Sequence, residues 1–107
     1  MSVRVHVAEE TLTAYLMGEI DHHAARRIRE DIDEAALRAH PSMLVLDFRD
    51  VTFMDSSGIG LVMGRYSLMQ ELGGDIAVEN MPGHINKVMK LAGLDKLANM
   101  GKEADKR

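Results

Sequence analysis

The chain has 107 residues, 46% of them apolar, with 13 basic and 17 acidic side chains for a net charge of −4. That is the size of one domain, too hydrophobic for global disorder, and too acidic overall for nucleic-acid binding, which needs clustered Lys and Arg. The absence of cysteine excludes disulfide scaffolds, thiolate metal sites and thiol nucleophiles.

Val3, Val5 and Val7 alternate with Arg4 and His6, the period of a strand. After the polar break Glu9-Glu10, Leu12, Ala14 and Leu16 alternate with Thr11, Thr13 and Tyr15. The two runs predict an antiparallel hairpin ending near Gly18. Asp21 is placed to cap a helix, because its carboxylate can accept from free N–H groups of the first turn. Ala25, Ile28, Ile32, Ala35, Ala36 and Ala39 form the apolar stripe of that helix. Arg26, Arg27 and Arg29 precede Glu30, Asp31, Asp33 and Glu34, against the preference of the helix dipole. This run is either a solvated face tied by i,i+4 pairs or a basic patch for an acidic partner.

Pro41 stops the helix. Met43-Leu44-Val45-Leu46 is an unbroken apolar run and predicts a central parallel strand buried on both faces. Residues 47–50 read as a polar turn, followed by Val51-Thr52-Phe53-Met54. A second helix is predicted over 57–72, closed by Gly73-Gly74. Ile76-Ala77-Val78 is a short strand. Pro82 opens a third helix with stripe Ile85, Val88, Met89 and Ala92, capped by Gly93. Leu94, Leu97 and Met100 are placed to form a last short helix or strand, and 102–107 reads as a frayed tail. The order β-β-α-β-α-β-α predicts an α/β fold: a four- to five-stranded mixed, mostly parallel sheet with one antiparallel edge strand and helices packed on it. One domain over 1–101 is expected.

The unusual segment is Met54-Asp55-Ser56-Ser57-Gly58-Ile59-Gly60-Leu61-Val62-Met63-Gly64-Arg65-Tyr66. Three consecutive capping residues exceed what one helix needs. The surplus puts a hydroxyl at a helix N-terminus, where negative charge is favoured and a phosphate would be tolerated. Each of Gly58, Gly60 and Gly64 costs a helix about 1 kcal/mol relative to Ala. Something therefore approaches the backbone there, either the sheet beneath or a partner. Ile59, Leu61, Val62, Met63 and Tyr66 leave the first turns apolar nearly all round, more than one sheet can cover.

This segment resembles the phosphorylation-site motif of bacterial anti-sigma factor antagonists of the STAS domain family. Gly18-Glu19-Ile20-Asp21-His22-His23-Ala24-Ala25 is similar to that family's first loop in its sporulation-type form. Met89-Lys90-Leu91-Ala92-Gly93-Leu94 also fits, and the likeness covers residues 1 to about 98. The segment after Leu97 is shorter and less apolar than the family's last strand and helix. The resemblance implies a STAS-type domain that is not an enzyme and carries no cofactor. It implies that the unphosphorylated form binds an anti-sigma factor that is also a serine kinase, holding ATP or ADP itself. Phosphorylation of the serine after the aspartate, here Ser56, would abolish binding, and a PP2C-type phosphatase would restore it. Asp21, His22, Asp55, Ser57, Gly58, Ile59, Gly60, Leu61 and Gly64 are the implied partner-binding residues. Ser57 is the fallback acceptor, and otherwise a helix cap or contact. A monomer is expected when the protein is free.

Other readings are weaker. A phospho-aspartate receiver would use Asp47, but Glu9-Glu10 lies in a hairpin rather than before a helix, and no strand-end lysine follows. Gly58-x-Gly60-x-x-x-Gly64 misses the GxGxxG spacing of nucleotide sites by one residue. No GxSxG elbow is present, and the adjacent His22 and His23 cannot face one metal ion from a helix. A STAS module serving a stress or sensory partner is the remaining alternative. The N-terminus lacks the pattern of a signal peptide and no apolar run reaches roughly 18 residues, so a cytoplasmic protein is expected.

Overall fold

The computed structural model describes residues 3–94. Leu97, Met100 and the tail at 102–107, for which a last element and fraying are expected, lie outside the described residues. The order is β1 (Val3–Ala8), β2 (Thr11–Ile20), α1 (His22–Ala39), β3 (Met43–Met54), α2 (Ser56–Glu71), β4 (Asp75–Glu79) and α3 (Gly83–Leu91). The strands lie side by side in chain order; β1 is antiparallel to β2, and the pairs β2–β3 and β3–β4 are parallel. This is the β-β-α-β-α-β-α sheet that the sequence predicts.

The topology decides where the helices go. Both crossovers, β2–α1–β3 and β3–α2–β4, step in the same direction across the sheet. Right-handed crossovers that never reverse direction put their helices on one face. The register agrees: Leu12, Leu44 and Ile76 stand in one row and Ala14, Leu46 and Val78 in the next, and all six are buried. Ile28, Ile32 and Ala36 of α1, Leu61, Val62 and Met69 of α2, and Ile85 and Met89 of α3 complete the core. Thr13, Tyr15, Met43 and Val45 on the opposite face are only half-buried. The strand from Met43 is thus central and parallel, as its composition suggests, but it is not covered on both sides. On β1, Val3 is buried whereas Val5 and Val7 are exposed, because the helical layer does not reach the outer part of that edge strand.

The polar stretch 47–50 is not a turn. β3 runs through it to Met54, pairing Asp47 with Tyr15, Asp50 with Met17 and Val51 with Gly18. Two register shifts in the β2–β3 ladder absorb the mismatch, and burial passes from every second residue to Phe48, Val51 and Met54. Beyond Asp47 the strand has outrun β4, so polar side chains meet water along that edge. Asp47 also fastens the transition: one oxygen accepts from the Arg49 N–H at 2.9 Å and the other from the Asn80 amide at 3.0 Å.

Local chemistry fixes the ends. α1 stops at His40, in the left-handed region at φ 48° and bonded to the Ala36 carbonyl, just before Pro41. After α2 the Gly74 N–H bonds the Met69 carbonyl at 2.8 Å, the six-to-one closure of a Schellman turn. Gly74 also passes so close to the Pro41 and Ser42 carbonyls that a Cβ would collide with them. Pro82 caps α3, whose buried face is Ile85 and Met89.

Two phenylalanines on β3 test the continuous strand. Phe48 is fully buried and Phe53 is 49% exposed. Phe48→Ala should lower the unfolding free energy by about 3–5 kcal/mol, and Phe53→Ala by less than about 1 kcal/mol, measured by urea denaturation. Equal losses would contradict this placement.

Candidate functional site

The site begins where β2 and β3 end. Ile20 and Met54 are the last paired residues of the parallel ladder, and the Asp55 N–H reaches the Ile20 carbonyl at 3.4 Å. Strands in a sheet lie about 4.8 Å apart, so the next residues, Asp21 and Asp55, emerge side by side. Each adopts extended backbone and caps the helix that follows. Asp21 accepts from the Ala24 N–H at 2.9 Å, and Asp55 from the Ser57 N–H at 2.8 Å. The two sequence motifs therefore meet at one end of the sheet, with two helix N-termini pointing the same way. The bond from Ala24 is the main reason the Asp21 carboxyl is held below the usual carboxylate range, with further help from His23.

Because Asp55 is the cap, α2 starts at Ser56, one residue before the predicted boundary, and Ser57 is inside the first turn rather than capping it. Ser56 is exposed, and its hydroxyl makes no hydrogen bond among the described residues. Ser57 is half-buried and spends its N–H on Asp55. The Ser56 hydroxyl thus stands at the positive N-terminal end of α2, next to the Asp55 cap.

The three glycines separate by role. Gly58 is buried, and a Cβ on it would overlap the Cγ and Sδ of Met54. It serves the packing of α2 on β3. Gly60 is exposed and Gly64 half-buried, and a Cβ on either would meet nothing among the described residues. The fold has no use for them, so the half of the expectation that invoked the sheet beneath holds only for Gly58. The apolar patch is also smaller than the composition suggests. Leu61 and Val62 are buried, Ile59 and Tyr66 are partly buried against the core, and Met63 is 51% exposed.

Gly60 and Gly64 open a groove of about 580 Å³ between α1 and α2. His22, Arg26 and Arg29 line it from α1, and Ser57, Leu61 and Arg65 from α2. Arg65 is 6% exposed. Its Nε lies 2.8 Å from Asp33 Oδ1, an ion contact too poorly aligned to count as a hydrogen bond. Another of its nitrogens donates to the Leu61 carbonyl at 3.3 Å. Burial pulls its pKa down, and Asp33 opposes that shift. The pair ties α1, which carries Asp21 and His22, to α2, which carries Ser56. Sequence reasoning left Asp33 in a solvated acidic run. The signal was present in α2: Arg65 falls on the buried stripe Gly58, Leu61, Val62, Met69, and a cation there needs a carboxylate from the facing helix. Among the described residues no group of three His, Asp or Glu is placed to hold a metal ion, and no helix is long and apolar enough to cross a membrane.

Gly60→Ala should raise helix stability by about 0.5–1 kcal/mol, whereas Gly58→Ala should lower it, both read from urea midpoints. The ion pair should respond asymmetrically. Asp33→Asn strands a buried guanidinium and should cost about 2–4 kcal/mol, while Arg65→Met leaves a carboxylate that water can reach and should cost less. The reverse order would show that Arg65 is not held by Asp33.

Comparison with known proteins agrees with this arrangement. The family model for the STAS domain matches residues 2–106. The anti-sigma F factor antagonist of Paenibacillus polymyxa is 37% identical over 86 residues, covering 80% of this chain and 74% of that protein. The structure of the anti-sigma factor antagonist SpoIIAA in its unphosphorylated form superposes with a TM-score of 0.84 at 31% identity, covering 96% of this chain and 88% of that one. The phosphorylated form of SpoIIAA, described as a Bacillus cell fate determinant, gives 0.76 at 32% identity, covering 96% and 91%. With its mixed four-stranded sheet, its helices on one face and its two motifs joined at one end, the chain belongs to the STAS domain family.

Proposed function

We propose that the protein is an anti-sigma factor antagonist that works by partner switching, with Ser56 as the phosphorylated residue. The observation that carries this reading is the exposed hydroxyl of Ser56 at the start of α2, directly after the cap Asp55 and at the sheet end where Asp21 also caps a helix. The similarity to an anti-sigma F factor antagonist and to both forms of SpoIIAA supports it. In this reading the unphosphorylated protein binds an anti-sigma factor that is also a serine kinase, and the sigma factor is released. ATP or ADP belongs to that kinase. A PP2C-type phosphatase resets the switch. The setting is cytoplasmic and sporulation-type, the free protein is a monomer, and it touches neither nucleic acid nor membrane itself.

The physics of the switch follows from the site. A phosphate adds about −1.5 to −2 charges at neutral pH. The N–H groups of the first turn and the dipole of α2 tolerate it, so the fold survives. In an interface the same dianion stands beside Asp55 and Asp21 with no partner cation provided for it. A stranded interfacial charge costs about 3 kcal/mol or more, and that lowers affinity by about 10²-fold. A covalent change of one side chain then acts without a change of shape. Ser57, Gly58, Ile59, Gly60, Leu61 and Gly64 on α2 with its cap Asp55, and His22 on α1 with its cap Asp21, form the contact face.

Incubation with ATP and the anti-sigma factor kinase of the same genome should add one phosphate, about 80 Da, on Ser56 by intact mass and peptide mapping. Ser56→Asp should keep the fold by circular dichroism and lose about 10²-fold in affinity. An adduct on Ser57, or equal binding by wild type and Ser56→Asp, would refute the assignment of Ser56.

A further inference from the structure

We infer that the groove between α1 and α2 seats an acidic segment of the partner protein, whose carboxylates are held by Arg26 and Arg29. The inference rests on the partner-switching reading and extends its contact face along the two helices. The chain is acidic overall, yet the groove is lined by three arginines and no carboxylate. Arg65 is already engaged by Asp33. Arg26 is held only by Glu30, at 3.6 Å with both side chains more than half exposed, a contact worth little in water. Arg29 has no carboxylate within ion-pair distance among the described residues, and it lies near enough to Arg65 that the two charges oppose each other. A carboxylate entering the groove would relieve that repulsion and find two guanidinium groups, Arg29 unpaired among the described residues and Arg26 only weakly held.

The shape favours a peptide over a small anion. His22 to Arg29 spans about 10 Å of helix wall and Gly60 to Gly64 about 6 Å of floor at 1.5 Å per residue. Leu61 and Ala25 supply apolar contact for side-chain stems, which inorganic phosphate would not use. Gly60 and Gly64 cost the free helix stability, and a Cβ on either would meet nothing among the described residues, as expected where a partner's backbone approaches closely. His22 and Ser57 continue the groove to the switching end. A phosphate on Ser56 would therefore add like charge at that end of the groove and oppose entry of the acidic segment.

Affinity for the anti-sigma factor kinase of the same genome should be measured by calorimetry for wild type, Ser56→Asp, the double variant Arg26→Glu/Arg29→Glu, and Arg26→Lys/Arg29→Lys. Titrations at low and high salt would be compared. Both arginines are exposed, so the variants should fold, as circular dichroism will verify. The charge reversal should weaken binding at least about 30-fold at low salt and flatten its salt dependence, while the lysine variant retains most of the affinity. Wild-type affinity and salt dependence in the reversal variant, with binding lost in Ser56→Asp, would overturn the groove and leave the switch standing. Absence of binding by the wild type would overturn both. Inorganic phosphate or ATP shifting the groove amides in NMR titrations, with kinase binding indifferent to Arg26 and Arg29, would identify an anion site instead and also overturn the inference.

Discussion

The parallel pairing of β2 with β3 is the constraint on which the rest of the structure depends. These are the two longest strands, and their ladder runs from Thr11 and Met43 to Ile20 and Met54. Because the strands are parallel, the segments leaving them emerge together, and both begin helices. Two aspartates far apart in sequence become neighbouring caps, and two positive helix ends face the same solvent. An antiparallel pair would have sent the motifs to opposite ends of the sheet.

The helical layer follows from the same geometry. With every step across the sheet in one direction, α1 and α2 must share a face and therefore touch each other. Their contact needs something more specific than apolar packing, because α2 carries glycines where bulk would otherwise fill the gap. The Asp33–Arg65 pair supplies it. Such a pair adds little net stability over an apolar equivalent, but it leaves few alternatives for how the helices are set. The space left beside it by Gly60 and Gly64 is a consequence of residues the fold does not need, and in that respect it resembles a surface shaped for a second molecule.

The proposed switch at Ser56 has an electrostatic logic. In that proposal the N-terminus of α2, which presents Ser56, would neutralise part of the charge of a phosphate placed there, so the domain would stay folded. In the same proposal Asp21 and Asp55 would do the opposite for an incoming partner, since their carboxylates offer a phosphate nothing to pair with. One side chain can thus be neutral toward stability and decisive toward association.

Much of this was legible in the sequence, and the limits are instructive. The alternations Val3–Val5–Val7 and Leu12–Ala14–Leu16, the stripe through Ile28 and Ile32, and the stop at Pro41 express local periodicity and backbone chemistry, which short-range sterics determine. Asp21 as a cap was legible for the same reason, as was the excess of small and hydroxylated residues around Ser56. The turn read at 47–50 failed because polar residues are tolerated in a strand wherever its neighbour has ended, and only the relative lengths of β3 and β4 reveal that. The coverage of Met43 and Val45 failed because composition does not say on which face the helices lie. The division of the glycines into Gly58, pressed against Met54, and Gly60 and Gly64, pressed against nothing, needed the third dimension. So did the partnership of Asp33 with Arg65 and the convergence of Arg26, Arg29 and Arg65 on one groove. The sequence by itself determined the elements and the chemistry at each helix start, because those depend on neighbours along the chain. Only the tertiary structure decided which of those chemistries face one another, because parallel pairing and one-sided helix packing join residues that the chain keeps more than thirty positions apart.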